Sequence, residues 1–98
     1  MIKHSVILSL KENISAAERK SFFEAAAALS NIEGVKKIEI LNQVSPKNNY
    51  QFGIAMEFDS AEEYSHYNEH PQHQQFIEKY WLNYVEKFLE IDFEAFKG

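Results

Sequence analysis

Tyr50-Gln51-Phe52-Gly53-Ile54-Ala55-Met56-Glu57-Phe58 alternates with the period of a β-strand. Tyr50, Phe52, Ile54, Met56 and Phe58 form one row. Gln51, Gly53, Ala55 and Glu57 form the other, whose middle is small and apolar. A strand with one wet face carries a clearly polar second row. This segment therefore reads as a strand covered on both sides.

On its N-terminal side, Lys3 to Leu10 is a second alternating run. His4, Val6, Leu8 and Leu10 share one face, and Ser5, Ile7 and Ser9 share the other. Ser15-Ala16-Ala17-Glu18 is a capping box that opens a helix running to about Ser30. Phe22, Phe23, Ala26 and Leu29 make its buried stripe. Gly34 marks the exit as a left-handed turn residue. Val35 to Val44 is a further strand, with Ile38 and Ile40 on one face. Ser45-Pro46-Lys47-Asn48-Asn49 is the turn into the segment quoted above.

Beyond Phe58, Ser60-Ala61-Glu62-Glu63 reads as another capping box, opening a helix to about Glu69. A residue before proline avoids helical angles, so His70 ends that helix and Pro71 starts the next. Phe76, Ile77, Tyr80, Trp81 and Tyr84 recur at helical spacing. Phe88 to Phe93 is the last strand, alternating Leu89, Ile91 and Phe93 with Glu90 and Asp92. The order β-α-β-β-α-(α)-β is that of a ferredoxin-like α+β domain: a four-stranded antiparallel sheet with its helices on one face. The other face lies bare. A second copy, related by a two-fold axis, is the simplest cover for it. The result would be a dimeric α+β barrel.

At 98 residues the chain makes one domain, spanning 1–98. A domain this size buries about two-thirds of its unfolded surface. A hydrophobic content of 45% therefore exceeds what one core needs. With a net charge of −5 and Arg19 as the sole arginine, there is no basic stripe for nucleic acid or an anionic membrane. The absence of cysteine removes disulfides and thiolate chemistry. No apolar run approaches membrane-spanning length, and no secretory signal is visible, so a cytoplasmic protein is expected. The three glycines are isolated, so no phosphate-cradling loop, and no cofactor, is called for.

The segment Tyr67-Asn68-Glu69-His70-Pro71-Gln72-His73 gathers a phenol and imidazoles beside a helix break. Those groups can move protons at a carbonyl carbon, and they can equally build a helix junction. His66, His70 and His73 have metal-like spacing, but Pro71 interrupts the helix that would align them, so no metal site is expected. The aromatic residues from Phe76 to Tyr84 read as core or dimer packing.

That segment, with Lys3 to Leu8, Gly34-Val35, Glu57-Phe58-Asp59-Ser60, Phe76, Lys79-Tyr80-Trp81 and Tyr84-Val85, resembles the stress-responsive A/B barrel domain (Dabb) family over nearly the whole chain. The resemblance implies a homodimer joined through the open sheet face. It leaves activity unassigned, since most members have none known. One plant member cyclises a linear polyketide thioester by aldol chemistry. Its tyrosine and histidine acid/base pair matches Tyr67 and His73, and its first-strand histidine matches His4. A third-strand histidine of that member falls at Phe52 here, which implies a different substrate. The expectation is thus a small hydrophobic or aromatic ligand in an apolar cavity, with His4 and Phe52 as pocket residues. The alternative is cofactor-free acid/base catalysis by Tyr67 and His73. A third reading, kinship with monooxygenases of similar dimeric barrels, rests on fold analogy alone.

Overall fold

The computed structural model describes all 98 residues. The elements are β1 (Ile2–Leu10), α1 (Ala16–Ala27), β2 (Lys36–Asn42), β3 (Phe52–Phe58), α2 (Ala61–Glu69), α3 (Pro71–Phe76) and β4 (Val85–Glu94). A 3₁₀ turn, Ala28–Asn31, extends α1, and α3 runs on through a π turn, Ile77–Trp81, and a last helical turn, Leu82–Tyr84. The sheet is antiparallel throughout, in the order β2-β3-β1-β4. This is the expected ferredoxin-like α+β arrangement. No helix is long and apolar enough to cross a membrane.

Strand register assigns the faces. His4 pairs with Met56 and Asp92, Val6 with Ile54 and Glu90, and Leu8 with Phe52 and Phe88. These residues form the helix-side face. Val6, Leu8, Ile54, Met56 and Phe58 are buried there against Phe22, Ala26, Leu29, Tyr67 and Phe76. On the opposite face, Ile7 lies between Gly53 and Leu89, and Leu41 is paired with Gly53. Leu41, Leu89 and Phe93 are exposed on it.

Several boundaries differ from the expectation, each for a physical reason. The strand quoted first begins at Phe52; just before it, Gln51 Oε1 accepts from Leu10 N–H of β1, and Tyr50 O accepts from Gln43 Nε2. The second strand ends at Asn42 instead of Val44, and its ladder slips between Lys36 and Glu39. Lys37 takes a left-handed φ of 51° at that bulge. α1 tightens into 3₁₀ geometry at Ala28, before the expected end. β4 starts three residues before Phe88. Val85 pairs with Leu10 and the Tyr84 carbonyl accepts from Lys11 N–H, so pairing with β1 converts the chain to strand without any turn residue.

Both helix caps form. At Ser15 the box is reciprocal. At Ser60 only half of it forms: the serine oxygen accepts from Glu63 N–H. The Glu63 side chain instead lies beside Gly34, where an added Cβ would come within 3.0 Å of Glu63 Oε2. Gly34 has φ +96°, so a left-handed backbone and a close neighbour both favour glycine there.

Candidate active site

Pro71 sets the geometry of the site. His70 leaves helical angles (ψ 135°), and its Nδ1 accepts from Gln72 N–H at 3.0 Å, capping α3. The imidazole is thereby spent on structure. His73, one turn into α3, points back toward α2, and its Nδ1 lies 3.3 Å from the carbonyl oxygen of Asn68. Nδ1 must donate in that bond, so the neutral ring carries its lone pair on Nε2. Burial holds the His73 pKa below 6.5; charge on His4 pushes the same way, while the Asn68 contact and Glu90 oppose it. The ring is neutral at pH 7.

Tyr67, on the inner face of α2, is buried and lies 4.4 Å from the His73 ring, centroid to centroid. Burial first, and then the Glu90 carboxylate, raise its pKa. The phenol keeps its proton and can donate a hydrogen bond.

His4 also lies near Tyr67, at 6.2 Å between rings. Its Nδ1 is 2.6 Å from Asp92 Oδ1 and 2.8 Å from the Tyr64 oxygen, and the Tyr64 hydroxyl donates to Asp92 Oδ2 at 2.8 Å. Asp92 thus accepts from both groups. Burial and the Asp92 bond raise the Tyr64 pKa, keeping that donor protonated.

His4, Tyr67 and His73 line one cavity of about 300 Å³. Its floor is the helix-side sheet face, with Val6, Ile54, Met56 and Phe88. Phe76, Ile77, Trp81 and Leu82 roof it, and Glu90 is its one carboxylate. The π turn inserts an extra residue into the helix above the cavity. Trp81, within that turn, meets Phe88 edge-on at 5.3 Å. His4 Nε2, His73 Nε2 and the Tyr67 hydroxyl have no hydrogen bond to protein, yet no buried polar side-chain atom of the chain is sealed off without a partner. All three atoms are therefore accessible, on side chains that line the cavity.

Phe52 is set apart from this group. It packs edge-on against Phe23 at 4.9 Å and lines shallow grooves between α1 and the sheet, not the cavity. His66 faces His70 edge-on at 5.7 Å on the outer side, and no three His, Asp or Glu side chains are grouped to hold a metal. Tyr64, Asp92 and Glu90 were not anticipated. Their signal was the antiparallel pairing of the first and last strands, which sets Asp92 opposite His4 and Glu90 opposite Val6.

The family model for the stress responsive A/B barrel domain matches residues 2–95. Olivetolic acid cyclase of Cannabis sativa is 30% identical over 96 residues, 94% of each chain. Among solved structures, a dabb family protein of Mesorhizobium loti with a ferredoxin-like fold is 44% identical with a TM-score of 0.91, over 97% of this chain and 96% of that one. A dimeric ferredoxin-like protein of unknown function from Bacteroides fragilis is 27% identical with a TM-score of 0.76, over 96% and 95%.

Proposed function

The chain belongs to the stress responsive A/B barrel domain family, and from that premise we propose that its cavity binds a small, mostly apolar carbonyl compound and moves a proton at the carbon next to the carbonyl. One observation carries this reading: a neutral imidazole with a free Nε2 stands beside a protonated phenol with a free hydroxyl, in a cavity walled mainly by apolar side chains. His73 Nε2 takes the proton from carbon. The electron pair moves onto the carbonyl oxygen, where the Tyr67 hydroxyl donates a hydrogen bond to the developing enolate. The apolar walls keep water from competing. Olivetolic acid cyclase as a 30% identical relative supports this class of chemistry.

The expected result is exchange of the methyl protons of acetophenone for deuterium in D₂O, catalysed by the protein and followed by NMR. Tyr67→Phe and His73→Gln should each lower that rate by about 100-fold or more. Exchange that survives both substitutions removes the assigned roles.

The functional unit of this proposal is a homodimer joined through the open sheet face. Support comes from the apolar residues of that face, Ile7, Leu41, Leu89, Ile91 and Phe93, and from the dimeric Bacteroides fragilis relative.

A further inference from the structure

His73 and Tyr67 account for one imidazole of the cavity and leave another unexplained. His4 is 6% exposed, on a strand whose other inward residues are all apolar. A histidine retained there only for packing would have both nitrogens tied down. Nδ1 is held, by a carboxylate that is itself held by a tyrosine. Nε2 is not: it is accessible, on a side chain that lines the same cavity as Tyr67 and His73. In general a carboxylate at Nδ1 fixes the ring orientation and supplies the counter-charge when Nε2 takes up a proton.

We propose that His4 is a second catalytic imidazole of the cavity, positioned by Asp92 and Tyr64, which delivers a proton to the substrate at a second atom while His73 removes one. This rests on the reading above and narrows its substrate class to conjugated or conjugable carbonyl compounds that lose a proton at one position and gain one at another. The step balances. His73 Nε2 takes the α-proton of a β,γ-unsaturated ketone, and the C–H electron pair spreads into a dienolate whose oxygen is held by Tyr67. Electrons return from that oxygen to re-form the carbonyl, and the γ-carbon takes the proton from His4 Nε2. The double bond has moved into conjugation. His73 has gained a proton and His4 has lost one, and exchange with solvent resets the pair. The titratable groups facing His4 are Asp92 and Glu90 from β4, Tyr64 and Tyr67 from α2, and His73 from α3.

The probe is 1-phenylbut-3-en-1-one in D₂O with the full-length protein. Isomerisation is read from the absorbance of the conjugated product, and α-exchange of recovered ketone from NMR. Wild type should do both. His4→Gln should lower isomerisation by about 100-fold more than it lowers α-exchange, so that the ratio of the two shifts. Asp92→Asn, nearly the same volume, should shift the ratio the same way, by a smaller factor. A misfolded variant would lose both processes together, and Asp92→Asn then decides whether the ratio moves. Wild-type exchange without isomerisation, or an unchanged ratio in the folded variants, overturns the role of His4 while leaving His73 and Tyr67 in place. Absence of exchange by the wild type overturns both readings.

Discussion

His73 and His4 are each tied at Nδ1 and free at Nε2, but the ties differ in kind. A neutral carbonyl holds His73, and a carboxylate holds His4. The first tie fixes a tautomer; the second also offers a counter-charge. For His73 this has a consequence at acid pH. Its folded pKa lies below 6.5, chiefly through burial. Between that folded value and 6.5 the unfolded chain binds more protons, so stability rises with pH across the window. The contribution is complete above pH 6.5 and is withdrawn as pH falls below it. The melting temperature should therefore drop more for wild type than for His73→Gln when the pH is lowered from 7 through this window, as scanning calorimetry would register. Equal drops would mean that His73 is not buried as a neutral ring.

Helix α2 carries Tyr64 and Tyr67, and its start depends on Ser60. Because the reciprocal half of the box is missing, the serine hydroxyl is the only side-chain cap there. Ser60→Ala should cost about 1 kcal/mol in urea unfolding, with little change of slope. A loss below about 0.3 kcal/mol would mean that solvent caps the helix equally well. At this scale the sequence was legible wherever chemistry is local. The alternation of Lys3 to Leu10, the Ser15 box and the break at Pro71 all correspond to elements of the fold. It was less legible where partners decide. Nothing near Tyr84 signals a helix turning into strand, because β1 imposes it through Lys11 and Leu10. Glu63 reads as half of a capping box until Gly34 is seen beside it. The period of two in Leu89 to Asp92 separates two rows without saying which one faces the helices. The usual choice would send Glu90 and Asp92 to the bare face, yet pairing with Val6 and His4 puts them on the helix-side face, where both keep part of their surface in solvent. So Tyr67, His73 and His4 could be singled out in advance, whereas the carboxylates beside them could not. Phe52 was named as a pocket residue on the resemblance, and the α1 side of the sheet claims it instead.

A single copy is a slab 17 Å thick along its shortest axis, one sheet with one layer of helices. Only 15 of its 98 residues are buried, too few to absorb the apolar content of the chain. Part of the surplus is concentrated in one place. Ile7, Leu41, Leu89, Ile91 and Phe93 fall on the bare face of the sheet. Leu41, Leu89 and Phe93 are 43%, 47% and 54% exposed there. A stable dimer typically buries about 1,200–2,000 Å² in total. Two copies of this face, packed sheet to sheet, are the natural source of such an area, because a two-fold axis sets each residue against the same patch of its partner. Leu89→Lys together with Phe93→Lys would place four cations in that contact, without partners and away from water. Sedimentation velocity at micromolar concentration should then show a monomer where wild type sediments as a dimer. The cavity lies on the opposite side of the sheet, between it and the helices, so acetophenone exchange per chain should persist within about ten-fold, one order of magnitude being 1.4 kcal/mol. A dimer that survives both lysines would move the interface off this face. A monomer that loses exchange altogether would mean that the second sheet holds β4, and with it Phe88, Glu90 and Asp92, in place.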